Sequence, residues 1–508
     1  MKAKTQVAWA QRVVASASAA FPKPDFENWQ QCHRLRSQVV AASKLVERWE
    51  FAFDAAVDLL TNAGTLFYEL GEYRIADSMY RLVLVTNERV CGSEHPRVAI
   101  DLSNLAQMLR TENRYDEAEV AMRRVLEIDQ RAYGDEHFDV AIDLTNLAGL
   151  LMETGRFPEA EQLYRQALQI DTKLYGTDHS RVATDLSNLA QILRRTNRIP
   201  EAEQLYRHAL KIDENTLDAN DPALALDFNN LAKLLQEIGD FEESECMYRK
   251  AIAVYEKTYS NHHPDLARTQ GNLGALLWAV GRFDEAESLF RSALAMDREF
   301  YGDNHSRVAK DLNNIGALLR STDRLVEAED CYQRALAIDE AVFGPDHSEV
   351  ATDLNNLGEL LLTLGRFGEA EELMRRAVTI DECISGPVHP DIARDLINLA
   401  QLLRRTGRRD EAVPMLFRAL EIDLKSGGSF HPSVAEDLET LVDLLLEIGR
   451  LDEASQLKRR TITIYAARKR PGMLKRAVEE YEAILWKMGT SETEIRNLVD
   501  SAQSFHED

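Results

Sequence analysis

Five cysteines in 508 residues, Cys32, Cys91, Cys246, Cys331 and Cys383, stand far apart with no paired spacing. They supply neither a disulfide framework nor a zinc site, and they suit a reducing, cytoplasmic compartment. No apolar run is long enough to span a bilayer. No G-x-x-x-x-G-K-[ST] loop occurs, so the backbone cradle that holds nucleotide phosphates is missing. Nucleophile–base motifs and metal-ligand spacings are absent too, so neither an enzyme nor a cofactor nor a metal is expected. Positive charge is scarce: 60 Lys and Arg against 85 Asp and Glu leave a formal net charge of −25. That balance disfavours nucleic acid and membrane surfaces as partners. The opening MKAKTQVAWAQRVVASASAAF faintly mimics a secretory signal, but Gln11 and Arg12 interrupt its apolar stretch. A helix leading into the rest of the chain is expected instead.

What the chain has in abundance is itself. Residues 96–119 read PRVAIDLSNLAQMLRTENRYDEAE and residues 180–203 read SRVATDLSNLAQILRRTNRIPEAE. A loop histidine recurs every 42 residues from His95 to His431, with Asp221 as the one replacement. A second marker runs Asn62, Asn104, Asn146, Asn188, Asn230, Asn272, Asn314, Asn356 and Asn398, and lapses at Thr440. Ten units therefore fill residues 51–472, between a helical lead-in at 1–50 and a capping helix with a tail at 473–508. Such an array buries its apolar surface by neighbour stacking, not around one central core.

Within a unit, Leu102, Leu105, Ala106 and Leu109 recur at three- and four-residue steps, the mark of one buried helical stripe. Pro96 suits the first turn of this helix A, with His95 or a neighbour as its cap. The turn after it holds Asn113, and the matching positions elsewhere are Gly, Asn or Asp, which tolerate a left-handed backbone. A second helix follows, clearest as Ala160, Tyr164 and Ala167, where small residues let two helices approach. This pattern resembles the tetratricopeptide repeat, whose usual period is 34 residues. The 42-residue length, with LNNI at 312–315, LNNL at 354–357 and FGPDH at 343–347, resembles the kinesin-light-chain subclass. The resemblance implies an all-α, right-handed superhelical solenoid of about ten helix-turn-helix repeats with helical caps. Residues 21–43, FPKPDFENWQQCHRLRSQVVAAS, are similar to the segment that joins the ATPase of bacterial NB-ARC signalling proteins to their repeat arrays.

Opposite the buried stripe of helix A lie the positions of Ile100, Ser103, Gln107, Arg110 and Thr111, with Asn104 at the edge; they are expected to line the concave surface. Over eight units these five positions hold ten basic residues, including Arg194, Arg195, Arg320, Arg404 and Arg405, against Glu153, Glu237 and Glu359. Arginine at a helix end complements the dipole, for ~0.3–1 kcal/mol each. That leaves Lys233, Arg268, Lys310 and Arg394 unexplained, so a basic groove is expected.

Asparagine is not favoured inside helices, so its ladder needs a use for the amide: bridging adjacent repeats, or gripping the backbone of an extended peptide. The resemblance implies the second for some repeats. The candidate peptide-binding set is Asn188, Asn230, Asn272, Asn314, Asn356, Arg194, Arg195, Arg320, Arg404, Arg405 and Trp278. The ligand expected there is an extended, acidic protein or peptide segment with an apolar anchor. The resemblance of residues 21–43 supplies the alternative, a sensor arm of an NB-ARC-type ATPase.

The loop histidines read as caps. Aspartates at the end of helix B (Asp129, Asp171 and their repeats) and at the start of helix A (Asp143, Asp185 and theirs) read as a structural polar seam. Both series lapse together, at Tyr255 and Thr269.

Overall fold

The computed structural model describes residues 2–25, 28–259, 263–385, 389–428, 431–467 and 471–503. Phe26 and Glu27 of the 21–43 segment, and the tail 504–508, lie outside them. The described residues form twenty-four helices and no strand, the all-α solenoid that the repeat implies. Two helices lead in, α1 (Lys2–Ala20) and α2 (Trp29–Trp49). Seven A–B pairs follow: α3 (Asp54–Glu69) with α4 (Tyr73–Cys91), α5 (Pro96–Thr111) with α6 (Tyr115–Tyr133), α7 (Phe138–Glu153) with α8 (Phe157–Tyr175), α9 (Ser180–Arg195) with α10 (Ile199–Thr216), α11 (Pro222–Ile238) with α12 (Phe241–Tyr259), α13 (Pro264–Ala279) with α14 (Phe283–Tyr301), and α15 (Ser306–Ser321) with α16 (Leu325–Phe343). Three more complete the array: α17 (Ser348–Thr363) with α18 (Phe367–Ser385), α19 (Pro390–Arg405) with α20 (Arg409–Gly427), and α21 (Pro432–Glu447) with α22 (Leu451–Ala467). The last helices are α23 (Pro471–Lys487) and α24 (Glu492–Gln503). Internal contacts divide the chain into two units, Met1–Arg194 with Ile199–His347, and Arg195–Arg198 with Ser348–Asp508.

The 42-residue period has a simple composition. A 16-residue helix α5 and a 19-residue helix α6 are joined by a three-residue turn and followed by a four-residue loop. In the turn, Asn113, Asn197 and Asp323 take φ of 58°, 61° and 62°, where other repeats place glycine. In the loop, the histidine works twice. His95, His137, His263 and His389 each accept a backbone N–H at Nδ1 two residues on, capping helix A, and Asp221 does the same with its carboxylate. The aromatic four residues earlier stacks on the imidazole, as Tyr259 does on His263 with centroids 3.8 Å apart.

Pair packing depends on a small residue in helix A under a large one in helix B. A Cβ on Gly64, Gly274 or Gly316 would stand 2.6–2.8 Å from the ring of Tyr80, Phe290 or Tyr332. Elsewhere the same register holds a fully buried alanine, Ala148 or Ala190, with a buried tyrosine, Tyr164 or Tyr206, sixteen residues on. Helix A is covered from two sides: Val140, Ala141 and Leu144 of α7 pack with Ala167 of α8, their own pair, and with Leu126 of the preceding α6.

Polar groups join the repeats. Asp129 and Asp143 share a hydrogen bond, and Asp129 Oδ1 and Asp143 Oδ2 find no N–H or O–H donor besides each other. Orphan oxygens recur on Asp171 and Asp185, Asp213 and Asp227, and Asp297 and Asp311, and in the second unit on Asp381 and Asp395. Two buried carboxylates side by side do not both ionise, so each pair holds a proton. Burial, then the neighbouring aspartate, pushes Asp143 up to about 8 and Asp185 to about 7. The first junction has Asn87 in place of one aspartate, with Nδ2 donating to Asp101 Oδ2 at 2.7 Å. At the C-terminal end the cluster changes character: Lys458, 1% exposed, is held between Glu439 and Glu480, the latter on α23.

Within the first unit the chain also returns to its own beginning. His305 Nε2 donates to Glu69 O at 3.1 Å, and His347 Nε2 to Thr111 O at 2.9 Å, each across 236 residues. Tyr73 stacks on Phe343 with centroids 5.4 Å apart, and Trp29 stacks on Phe300 at 4.7 Å while its Nε1 donates to Phe300 O at 3.0 Å. With a 42-residue period, that spacing closes a turn between five and six repeats. Each such contact contributes on the order of 1 kcal/mol, so this closure is far weaker than the helix-pair interfaces.

Two predictions follow from this packing. The aspartates' folded pKa lies above the unfolded value, so their contribution to stability is complete in acid and is lost as pH rises through about 7–8. Asp129→Asn copies the Asn87 arrangement, and near Asp143 it leaves only Asp139 and His137 as ionisable neighbours. It should stabilise the fold by on the order of 1 kcal/mol at pH 8 and much less at pH 5, read from thermal melts at both values. Truncation before residue 471 removes Glu480 from Lys458, which is otherwise buried; the shortened chain should melt lower and aggregate, and equal stability would count against a capping role for α23 and α24.

Candidate peptide-binding surface

Consecutive A helices approach one another directly, α11 to α13 and α13 to α15 in the first unit and α17 to α19 in the second. They therefore form the inner row, and their exposed faces carry the positions singled out in the sequence. In five of the A helices a residue of the last turn reaches a residue 43 places on, in the next A helix. Tyr68 bonds Thr111 at 2.9 Å, Arg110 pairs with Glu153 at 3.0 Å, and Arg194 pairs with Glu237. Trp278 Nε1 donates to Ser321 Oγ at 2.8 Å, and Arg404 pairs with Glu447. Residues as different as Tyr, Arg and Trp thus perform one task, cross-linking neighbouring repeats.

This changes the account of the basic groove. Arg194, with a side chain only 10% exposed, and Arg404 are spent on glutamates, and Trp278 is half-buried and hydrogen-bonded, not exposed. Arg268 is occupied by Asp265 at 2.9 Å and Arg394 by Asp395 at 3.1 Å. Arg405 donates to Leu362 O at 3.3 Å, and Arg320 is half-buried in the same register as Arg404. Arg195 is exposed. Asp391 is held below the usual carboxylate range by its hydrogen bond with His389, with the Arg394 and Arg195 guanidiniums adding to it. The sequence count of ten cations against three anions overlooked Glu447, outside the eight units counted, as well as Asp265 and Asp395, outside the five positions. A search for opposite charges 43 residues apart would have found the pairs in Arg110, Arg194 and Arg404.

The asparagine ladder divides in two. Asn272 Nδ2 donates to Asn229 Oδ1 at 2.9 Å, and Asn398 Nδ2 to Glu359 Oε1 at 3.0 Å. Asn62, Asn104, Asn146, Asn188, Asn230, Asn314 and Asn356 are half-buried and make no hydrogen bond to another described residue. The polar residue just before the ladder does the bridging instead. Ser187 Oγ donates to Asp227 at 3.2 Å and Asn355 Nδ2 to Asp395 at 2.5 Å, each in the next repeat. One helical turn before the ladder amides, Ile100, Ile142 and Leu226 are 40–62% exposed and give this face apolar contact. No cluster among the described residues is able to hold a metal ion.

The tetratricopeptide repeat family matches residues 55–131, 139–215, 223–299, 307–382 and 391–467, each span covering two helix pairs. The chain belongs to that family. No curated protein matches it. Solved structures similar to this tetratricopeptide repeat protein include BtubC (BKLC) from P. vanneervenii, 25% identical with a TM-score of 0.37 over 46% of this chain and 92% of that one. Another is a putative kinesin light chain with nearly identical TPR-like repeats from Podosopora anserina, 21% identical with a TM-score of 0.35 over 41% and 98%. A third is a Rap protein complexed with competence and sporulation factor, 15% identical with a TM-score of 0.48 over 75% and 99%. No described helix is long and apolar enough to cross a membrane.

Gly271, the residue before Asn272, is buried, yet a Cβ placed there meets nothing within 4 Å. No neighbouring protein atom requires the glycine, and Gly271→Ala should stabilise the fold by roughly 0.5–1 kcal/mol. Gly274→Ala, one turn on, would press 2.8 Å from Phe290 and should cost about 1–3 kcal/mol. Denaturant melts of the two variants check both signs.

Proposed function

We propose that this protein is an interaction scaffold whose inner row of A helices holds an extended segment of a partner protein. The observation that carries the reading is the set of seven half-buried asparagine amides without a hydrogen bond to another described residue, one to a repeat. A half-buried amide presents a donor and an acceptor together, which matches a peptide unit and no single side-chain charge. In the first unit Asn188, Asn230 and Asn314 are the ladder members that grip, while Asn272 is engaged by Asn229; Asn356 offers the same amide in the second unit. Ile100, Ile142 and Leu226 supply apolar contact. An acidic preference in the ligand rests on the exposed Arg195, Arg405 and Lys310. It draws nothing from Arg194 or Arg404, which already have carboxylates. A role as the sensor arm of an NB-ARC-type ATPase rests on residues 21–43 alone, and in that segment Trp29 is already used in packing on Phe300.

A displayed library of unstructured peptides, screened against the full chain, tests the reading. Asn188→Ala combined with Asn230→Ala should weaken the selected peptides roughly ten-fold or more without lowering the melting temperature. Peptides bound equally well by parent and double variant would place the binding surface elsewhere. Arg195→Glu with Arg405→Glu should reduce affinity for acidic peptides mainly through slower association at low salt.

A further inference from the structure

Among the described residues the closing contacts within the first unit come from loops, turns and helix ends. His305 and His347 reach back to the carbonyls that end α3 and α5, and Tyr73 at the start of α4 stacks on Phe343 at the end of α16. Gly71, at φ +71°, brings the turn between α3 and α4 so near that a Cβ there would lie 3.4 Å from the His305 ring. Both nitrogens of His305 are committed: Nδ1 accepts from Arg307 N at 3.2 Å and caps α15, while Nε2–H donates across the seam. Arg307 is attracted to Tyr301 and Asp297 on its own side and to Glu69 on the other. Neighbouring helices, by contrast, share continuous buried stripes such as the one formed by Val182, Ala183, Leu186, Ala209 and Ile212. The seam therefore parts before any helix pair does.

We propose that this seam is a gate to the inner face of the first unit: shut, it admits an unfolded segment that threads in by a free end, and open, it admits a loop or a bulkier partner. The inference rests on the reading of that face as the binding surface, and its occupant is a flexible chain, not a folded domain. Half-buried amides facing inward at Asn104, Asn146, Asn188 and Asn230 suit a thin, extended occupant, because each can pair with a peptide unit and none offers the broad apolar area that a folded surface needs.

Thiol labelling reports on the gate without any ligand. In the full chain, with Cys32 changed to alanine and the other four native cysteines to serine, Ile142→Cys places a thiol on the inner row and Val326→Cys one on the outer side, 83% exposed. Each is treated with N-ethylmaleimide and with a maleimide carried on a small folded protein. N-ethylmaleimide should modify both, and the protein-borne reagent should be about ten-fold slower at position 142 than at 326 after each rate is divided by the N-ethylmaleimide rate. His305→Asn with His347→Asn keeps the helix caps, as Asp221 does in the same register, and removes the two bonds across the seam. That variant should bring the protein-borne rate at 142 close to the rate at 326 and leave N-ethylmaleimide unchanged. Tyr73→Leu with Phe343→Leu makes the same comparison should the first variant not fold. Equal normalised rates at 142 and 326 in the parent, or a bulky-reagent rate that neither variant moves, overturn the gate. A failure of the peptide reading is separate, because it leaves these rates as expected and appears only as binders indifferent to Asn188 and Asn230.

Discussion

The contact between a small residue on helix A and a large one on helix B sets every other distance in this molecule. Gly64, Gly274 and Gly316 lie so close to Tyr80, Phe290 and Tyr332 that a methyl group would not fit. Because helix ends follow rigidly from helix axes, that approach also fixes where each loop histidine and each end-of-helix aspartate lands. Asp129 then meets Asp143 with no room for water-like screening, and the two must share a proton. Side-chain chemistry at the junctions is thus a consequence of backbone proximity, and the formal charge of −25 overstates the charge of the folded protein near neutral pH.

Charge on the inner row is handled in the same repeat-to-repeat manner. In five repeats a residue at the end of one A helix meets a residue 43 places on, and the pairs there are complementary: Tyr with Thr, Arg with Glu, Trp with Ser. Such pairs are partly exposed and individually weak, so their value lies in register and not in stability. They consume the arginines that a helical wheel assigns to a ligand. They leave the asparagines one and a half turns earlier untouched, so unengaged amides, not guanidiniums, distinguish this face.

Much of the fold was legible because period, turn chemistry and stripe all repeat ten times. The left-handed positions at Asn113, Asn197 and Asp323, the capping histidines and the buried Leu102, Leu105 and Leu109 stand where the repeat places them. The ladder was legible as a question, since one helix gives no way to choose between bridging and binding. What the sequence did not disclose depends on pairs more than one repeat apart. Arg404 with Glu447 requires knowing that equivalent A helices are in contact, and His305 with Glu69 requires knowing how many repeats complete a turn. Neither quantity is written in the periodicity of a single unit.

The one irregular junction shows how tightly these levels are coupled. Thr269 stands where the other repeats place an aspartate, and its hydroxyl bonds its own helix at Asp265 O, 2.8 Å away. Asn229, whose counterparts Ser187 and Asn355 donate to that aspartate, is left without it and contacts Asn272 instead. One ladder amide is thereby withdrawn from the inner face. Gly271 then has no side chain to offer Asp311, which burial and then the neighbouring Asp297 push up to about 8. The change from Asp to Thr at this position thus reaches the inner face through two hydrogen bonds, and within the first unit Asn272 is the ladder amide engaged between the free Asn230 and Asn314.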